Sequence, residues 1–275
     1  MKKLFFIFVI IFGFYVHIAH ANLFGYNFSN SSQNETPIWS EVWNSKAGLG
    51  ILEDSAYKND FYSLINFYQP QINPLLCGAA TSVIILNALN YGSIPNQEAS
   101  QIIRPIEIGG GNIEFPLYTQ ENFFNGKTDI IKNRHIINMK MPSEIKNRRK
   151  IYDAGVTLSQ LRDILSKSYN LKVEINYVEE IDNEKIDNFR QKLKEVLNDN
   201  KKYLLANFDG QIIGKKTFGH ISPIVAFNEK EDAILVLDVA LHRNQWYWIN
   251  VKQFFKSMNS KDGENYRGYL VVSKK

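Results

Sequence analysis

Cysteine is nearly absent: Cys77 is the only thiol in 275 residues. One cysteine permits no internal disulfide and no cysteine-rich zinc site. Neither charge prevails. Lys and Arg number 32 against 28 Asp and Glu, a balance that points neither to nucleic acid nor to an acidic membrane surface. Internal repeats and long low-complexity tracts are missing. Gly109-Gly110-Gly111 lacks the following Lys-Ser/Thr pair and helix that a phosphate cradle needs, and reads as a flexible loop. The basic stretch Lys146–Lys150 reads as a solvated surface segment.

What is present is a core. Hydrophobic residues make up 44% of the chain and aromatics 13%, enough for one large domain or two small lobes sharing an interior. The N-terminus stands apart. Lys2 and Lys3 precede an apolar run from Leu4 to Val16, and Ala19-His20-Ala21 supplies a small-x-small cleavage signal. The run is short against the roughly 20 residues of a membrane span. A signal peptide over residues 1–21, cleaved after Ala21, is expected, which makes the protein exported, periplasmic or secreted. A retained membrane anchor is the competing reading. Removal of Lys2 and Lys3 lowers the formal charge from +4 to +2. Residues 22–37 are rich in Asn and Ser and read as a mobile leader. Its three Asn-x-Ser/Thr triplets, at Asn27, Asn30 and Asn34, read better as polar linker than as glycosylation sites. The folded domain is expected over residues 38–275.

Asn73-Pro74 breaks the chain just before Cys77. From Cys77 to Leu89 the sequence is apolar nearly all round, as in a buried central helix. Thr157 is placed to cap a helix carrying Leu158, Leu161 and Leu165 on one face. Leu171–Tyr177 alternates and predicts a strand. Ile186, Phe189, Leu193, Val196 and Leu197 fall at helical spacing. Strands are then expected at Tyr203–Phe208, Ile224–Phe227, Ala233–Asp238, Trp246–Ile249 and Gly268–Ser273. Tyr91–Met141 gives no clear pattern. This grouping predicts an α+β fold in which a helical N-terminal lobe packs on an antiparallel β-sheet lobe.

Taken alone, Cys77 reads more readily as a buried core cysteine than as a nucleophile. Its place at the first turn of the expected helix, where partial positive charge favours a thiolate, opens the second reading. Gly78 is expected to leave the neighbouring backbone open to a substrate carbonyl. Gln71 lies six residues upstream, where a side-chain amide can join the Cys77 N–H as an oxyanion donor; a polar loop residue is the alternative. Gln69 is nearby, but Gln71 has the better spacing. A nucleophilic cysteine needs a base, and beyond the signal the chain offers His135, His220 and His242. His220 precedes an apolar strand and follows Gly219, which permits close approach; a surface histidine at a strand end is the competing reading. His135 lies among basic residues and His242 between strands, so both read as solvated. Asp238 ends an apolar strand. A hairpin at Asn228–Asp232 would bring it beside His220, giving each a partner. Otherwise Asp238 is an ordinary turn aspartate.

With these residues in view, the chain resembles the phytochelatin synthases, glutathione γ-glutamylcysteinyltransferases of the papain superfamily, in their short bacterial form. The resemblance runs through Asp60-Phe-Tyr-Ser-Leu64, Gln71-Ile-Asn-Pro-Leu-Leu-Cys77-Gly, Leu86-Asn-Ala-Leu89 and Thr119-Gln-Glu-Asn-Phe-Phe124. It continues through Gly155-Val-Thr-Leu158, Gly219-His-Ile-Ser-Pro223, Leu237-Asp-Val-Ala240 and Arg267-Gly-Tyr269. It implies a papain-like fold with a Cys77–His220–Asp238 triad and Gln71 at the oxyanion. Asn207, Gly219 and Arg267 would hold the γ-glutamyl end. The implied reaction cleaves the Cys–Gly bond of glutathione through a γ-Glu-Cys acyl-enzyme, passed to water or to a second glutathione. It implies no tightly bound cofactor: Cd²⁺ or Zn²⁺ would enter as a metal–glutathione thiolate substrate. Glutathione is the implied partner, with no nucleic acid and no membrane span after signal cleavage; a homodimer is an open assembly.

Departures from the family pattern fall around the substrate. Leu241 follows the Asp-Val-Ala stretch where Arg is usual, and the next Arg is Arg243. Arg243-Asn-Gln-Trp replaces a Tyr-Pro-Pro segment, and Gly210 stands where bacterial relatives carry Arg. The cysteine-rich C-terminal region of plant members is not in this sequence. A papain-like peptidase on other peptides and a catalytically dead binding module with a structural Cys77 are the rival functions.

Overall fold

Tyr203–Phe208 is apolar at every position but Asn207, and the reason is that both faces of its strand are covered. A computed structural model describes residues 37–91, 106–108, 111–113, 117–133, 142–146, 149–152 and 155–275. The expected signal peptide, the leader up to residue 36, Gly109, Gly110 and His135 lie outside the described residues.

The centre is a seven-stranded, wholly antiparallel sheet. Its spatial order is β1 (Ser40–Val42), β10 (Tyr247–Asn250), β9 (Ala233–Val236), β8 (Gly219–Asn228), β7 (Lys202–Asp209), β13 (Gly268–Lys274) and β6 (Leu171–Tyr177). Side chains alternate between the two faces along each strand. Leu205, Leu235 and Leu270 enter one core, while their neighbours Leu204, Ile234 and Val271 enter the other. Each such buried side chain contributes roughly 1.5–3 kcal/mol of hydrophobic stabilisation. Three two-stranded ribbons complete the strands: β2 (Ile106–Ile108) with β3 (Gly111–Ile113), β4 (Pro142–Lys146) with β5 (Arg149–Tyr152), and β11 (Lys261–Asp262) with β12 (Asn265–Tyr266).

The first core lies under α1 (Lys46–Asp54), α2 (Asn59–Ile65), α3 (Cys77–Asn90), α4 (Gln120–Phe123) and α5 (Leu158–Asp163). Helix α3 is buried on nearly every side, from Gly78 to Asn87, as its unbroken apolar run predicts. Thr157 caps α5 in a reciprocal capping box with Gln160, and Leu158, Leu161 and Leu165 are buried as expected. The second core lies under α6 (Asn183–Leu197) and α7 (Val251–Met258). The α+β class expected from sequence is the one observed, but helices do not confine themselves to one side: α6 and α7 cover the second face of the sheet.

Two close approaches fix α3, one to the sheet and one to the segment 155–157. Thr81 Oγ1 donates to the Ile221 carbonyl of β8 at 2.9 Å. A Cβ on Gly78 would collide with the Val156 side chain. Gly78 is therefore needed for packing between α3 and the 155–157 segment.

Candidate active site

Cys77 is the first residue of α3, with Leu76 as N-cap. The loop before it is built from amide contacts. Asn73 Oδ1 accepts from the Leu75 N–H at 2.9 Å and the Asn73 carbonyl from the Leu76 N–H at 3.0 Å, an Asx turn leading into the helix. The Gln71 N–H donates to the Val239 carbonyl at 2.8 Å. Gln120 of α4 clamps the loop from the other side, accepting from the Ile72 N–H at 3.0 Å and donating to the Pro70 carbonyl at 2.9 Å. Gln71 and Cys77 are thereby fixed on one rim.

His220 is the second residue of β8 and is buried; a surface histidine at a strand end it is not. Its Nε2 lies 2.8 Å from Asp238 Oδ1 and 3.0 Å from Ser222 Oγ. Cys77 lies near enough to the same imidazole to help hold its proton. Phe208, opposite His220 on β7, presents its ring edge to face at 5.6 Å. Burial pushes the imidazole down, but the Asp238 charge and hydrogen bond, helped by Cys77, more than offset it and lift His220 to about 10.

Asp238 is fully buried and lies just beyond the end of β9 at Val236. The strand was expected to continue to Asp238. Instead a register shift between Ile224 and Ala226 precedes it, and the Leu237 N–H bonds to the Pro223 carbonyl at 3.0 Å. Asp238 Oδ1 also accepts from the Ala240 N–H at 2.8 Å, and Oδ2 from Asn244 Nδ2 at 3.2 Å. The Tyr68 hydroxyl holds its backbone carbonyl at 2.8 Å. The hairpin argument for bringing His220 to Asp238 is thus met in space.

These side chains open on a cleft of about 320 Å³. Gln71 lines it; its Nε2 donates to the Asn73 carbonyl at 3.1 Å, and among the described residues its buried Oε1 has no hydrogen-bond partner. The far end is polar. Arg267 Nη1 donates to Asn207 Oδ1 at 2.7 Å, Asn207 Nδ2 donates to Asp262 Oδ2 at 2.6 Å, and Arg267 stands 3.7 Å from the same carboxylate. Arg267 Nε is braced on Ser260 Oγ at 3.1 Å. A Cβ on Gly219 would sit 2.5 Å from Arg267 Nη2, so glycine is what lets the guanidinium lie against β8. Asn207, Gly219 and Arg267 are therefore brought together with Cys77, His220 and Gln71. His242 is exposed on the rim and makes no part of the His220 cluster.

Three side chains escaped the sequence reading. Asp262 sits before Gly263, whose φ is 71°; Asp-Gly is a turn signal, and that reading conceals a carboxylate in a cleft. Ser222 and Asn244 touch His220 and Asp238 and carry no signal in one sequence. Among the described residues there is no group of three His, Cys, Asp or Glu side chains able to hold a metal ion, and no helix is long and apolar enough to cross a membrane.

Comparison with known proteins agrees in family. The phytochelatin synthase family model matches residues 36–269. Glutathione gamma-glutamylcysteinyltransferase 2 of Arabidopsis thaliana is 24% identical over 85% of this chain and 43% of its own length. The glutathione gamma-glutamylcysteinyltransferase of Schizosaccharomyces pombe is 28% identical over 82% of this chain and 45% of its own. Glutathione gamma-glutamylcysteinyltransferase 3 of Lotus japonicus is 23% identical over 87% and 41%. The chain spans less than half the length of these relatives. It belongs to the phytochelatin synthase family.

Proposed function

We propose that this member of the phytochelatin synthase family is a cysteine acyltransferase or hydrolase that cleaves the Cys–Gly peptide bond of glutathione. One observation carries the reading: a buried Asp238–His220 pair lies beside Cys77 at the start of a helix, and the same cleft holds Arg267 and Asp262 3.7 Å apart at its far end. The first half is the machinery of an activated thiol. The second half fits an α-amino acid end, with the guanidinium taking the carboxylate and Asp262 the ammonium.

In this mechanism the Cys77 sulfur is the nucleophile and the His220 imidazolium stands beside it. The sulfur attacks the cysteinyl carbonyl of glutathione, forming a C–S bond and a tetrahedral oxyanion. The Cys77 N–H and the Gln71 amide are the nearby donors for that oxygen, and Gln71 would exchange the Asn73 carbonyl for it. Collapse breaks the C–N bond as His220 gives its proton to the departing glycine amine. Asp238 holds the ring throughout. The γ-Glu-Cys thioester then passes to water, with His220 taking a proton, or to the amine of a second glutathione, lengthening the peptide by one γ-Glu-Cys unit. Cd²⁺ or Zn²⁺ enters as a thiolate complex of glutathione, that is, as substrate. Cleavage of a signal peptide after Ala21 would put this chemistry outside the cytosol.

The test is product analysis. The protein is incubated with glutathione, with and without Cd²⁺ or Zn²⁺, and products are read by mass spectrometry. Free glycine with γ-Glu-Cys marks hydrolysis, and (γ-Glu-Cys)n-Gly marks transfer. Neither product from folded protein with intact Cys77 overturns the proposal, and cleavage of unrelated peptides instead points to a general peptidase.

A further inference from the structure

Asp238 has two oxygens, and the reaction just described uses one of them. Oδ1 faces His220 and the Ala240 N–H. Oδ2 is as deeply buried, and among the described residues its one hydrogen-bond donor is Asn244 Nδ2, at 3.2 Å. The other end of that amide is also occupied: Asn244 Oδ1 accepts from the Lys216 N–H at 3.3 Å. Lys216 belongs to the segment that forms one wall of the cleft, where Lys216, Thr217 and Phe218 face the interior. The wall is a closed loop, pinned at its base by Lys215 N–H to the Gly210 carbonyl at 2.8 Å and Gly210 N–H to the Phe218 carbonyl at 3.2 Å. Arg243 holds the opposite pole of the same residue, Nη1 donating to the Lys216 carbonyl at 2.9 Å. Asn244 is itself fixed, its N–H bonding to the Ala240 carbonyl at 3.0 Å.

We propose that Asn244 is a positioning residue of the reaction, one amide that locks the outer oxygen of Asp238 to the Lys215–Phe218 wall of the cleft. The chemistry demands a short side chain with a donor at one end and an acceptor at the other. Asn supplies both, Asp would set carboxylate against carboxylate, and Ala supplies neither. The amide's orientation follows, since a carboxylate takes only a donor and a backbone N–H only an acceptor.

The inference rests on the Cys77–His220–Asp238 reading, and the experiment separates the two. The charged and titratable groups facing the pair are Cys77 from α3, Lys215 from the wall, Tyr68 beyond α2 and Tyr247 from β10. Glycine release and iodoacetamide alkylation of Cys77 are measured from pH 5 to 10.5 in the wild type, Asn244→Ala, Asn244→Gln and Arg243→Ala, with Tm as a folding control. Asn244→Ala lowers kcat roughly ten-fold and moves the alkaline limb of glycine release down by about one pH unit, because a loosened Asp238 outweighs burial at His220 by a smaller margin. Asn244→Gln, which keeps both amide ends, recovers part of the rate. Arg243→Ala raises KM and leaves the limb in place. Should Asn244→Ala not fold, Asn244→Ser takes its place with the same expected direction.

An Asn244→Ala enzyme within two-fold of wild type, with an unmoved limb, overturns the inference and leaves the proposed function standing. A limb that also moves in Arg243→Ala assigns the effect to the whole loop and overturns it as well. A wild type that neither releases glycine nor alkylates at Cys77 overturns the underlying reading instead.

Discussion

His220 Nε2 and Asp238 Oδ1 lie 2.8 Å apart, and both side chains are closed off from solvent. Burial alone would favour the neutral ring. The carboxylate at this distance reverses that and keeps the imidazolium up to about pH 10. A folded-state value above the unfolded one means the ion pair stabilises the protein fully below pH 6.5 and loses that contribution as pH rises through about 10. Glycine release should therefore fall off near pH 10, not near the ordinary imidazole value. Asp238→Asn should cut kcat by about 10⁴-fold, as loss of the acid does in comparable triads, and bring the alkaline limb down. Rate–pH profiles of both proteins check this.

The contact between Cys77 and His220 predicts a reactive thiol. Iodoacetamide should label Cys77 rapidly near neutral pH in the wild type and slowly in His220→Ala. Equal, slow labelling in the two proteins is the behaviour of a structural cysteine in a binding module.

Gly219 and Arg267 predict a separation of binding from chemistry. A methyl group at 219 would meet the guanidinium at 2.5 Å and push it off β8. Gly219→Ala should raise KM for glutathione by roughly ten-fold, about the value of one misplaced polar contact. The rate of Cys77 alkylation should stay at the wild-type level. Steady-state kinetics and labelling on the same sample read the two effects apart.

Asp60 predicts a stability change far from the chemistry. Its carboxyl is wholly buried, neither oxygen has a hydrogen-bond partner among the described residues, and burial with the Asp199 charge raises it to about 9. The folded state thus holds a proton that the unfolded chain releases above about 3.8, so this group makes the protein less stable as pH rises from 4 to 9. Asp60→Asn removes that penalty. It should raise stability by on the order of 2 kcal/mol at pH 7.5 and leave the Tm nearly unchanged at pH 4. Thermal unfolding at the two pH values tests it.

Several of these features could be read from the sequence for physical reasons. The nucleophile helix shows itself because a segment buried on all sides must be apolar on all sides. The meeting of His220 with Asp238 follows from a short hairpin at Asn228–Asp232 whose second arm runs back along β8 as far as Asp238. The second helical layer was legible only in part. Helix α6 has clear helical spacing over fifteen residues; α7 has it too, with Val251, Phe254, Phe255 and Met258 at i, i+3, i+4 and i+7, but its eight residues give only one such repeat. Gly78 is conspicuous beside Cys77, yet its reason is Val156, some eighty positions away, and such a contact has no local sequence signature. Asp262, Ser222 and Asn244 matter through what they touch, and spacing along the chain does not encode that.

The central claim is that Cys77 carries the γ-Glu-Cys acyl group. Rapid acid quench of the protein mixed with glutathione, followed by mass spectrometry of the Cys77 peptide, tests it most directly. The account predicts a γ-Glu-Cys thioester on Cys77 that forms in step with glycine release and is absent from Cys77→Ser. Glycine release with Cys77 unmodified throughout, or equal release by Cys77→Ser, would contradict it.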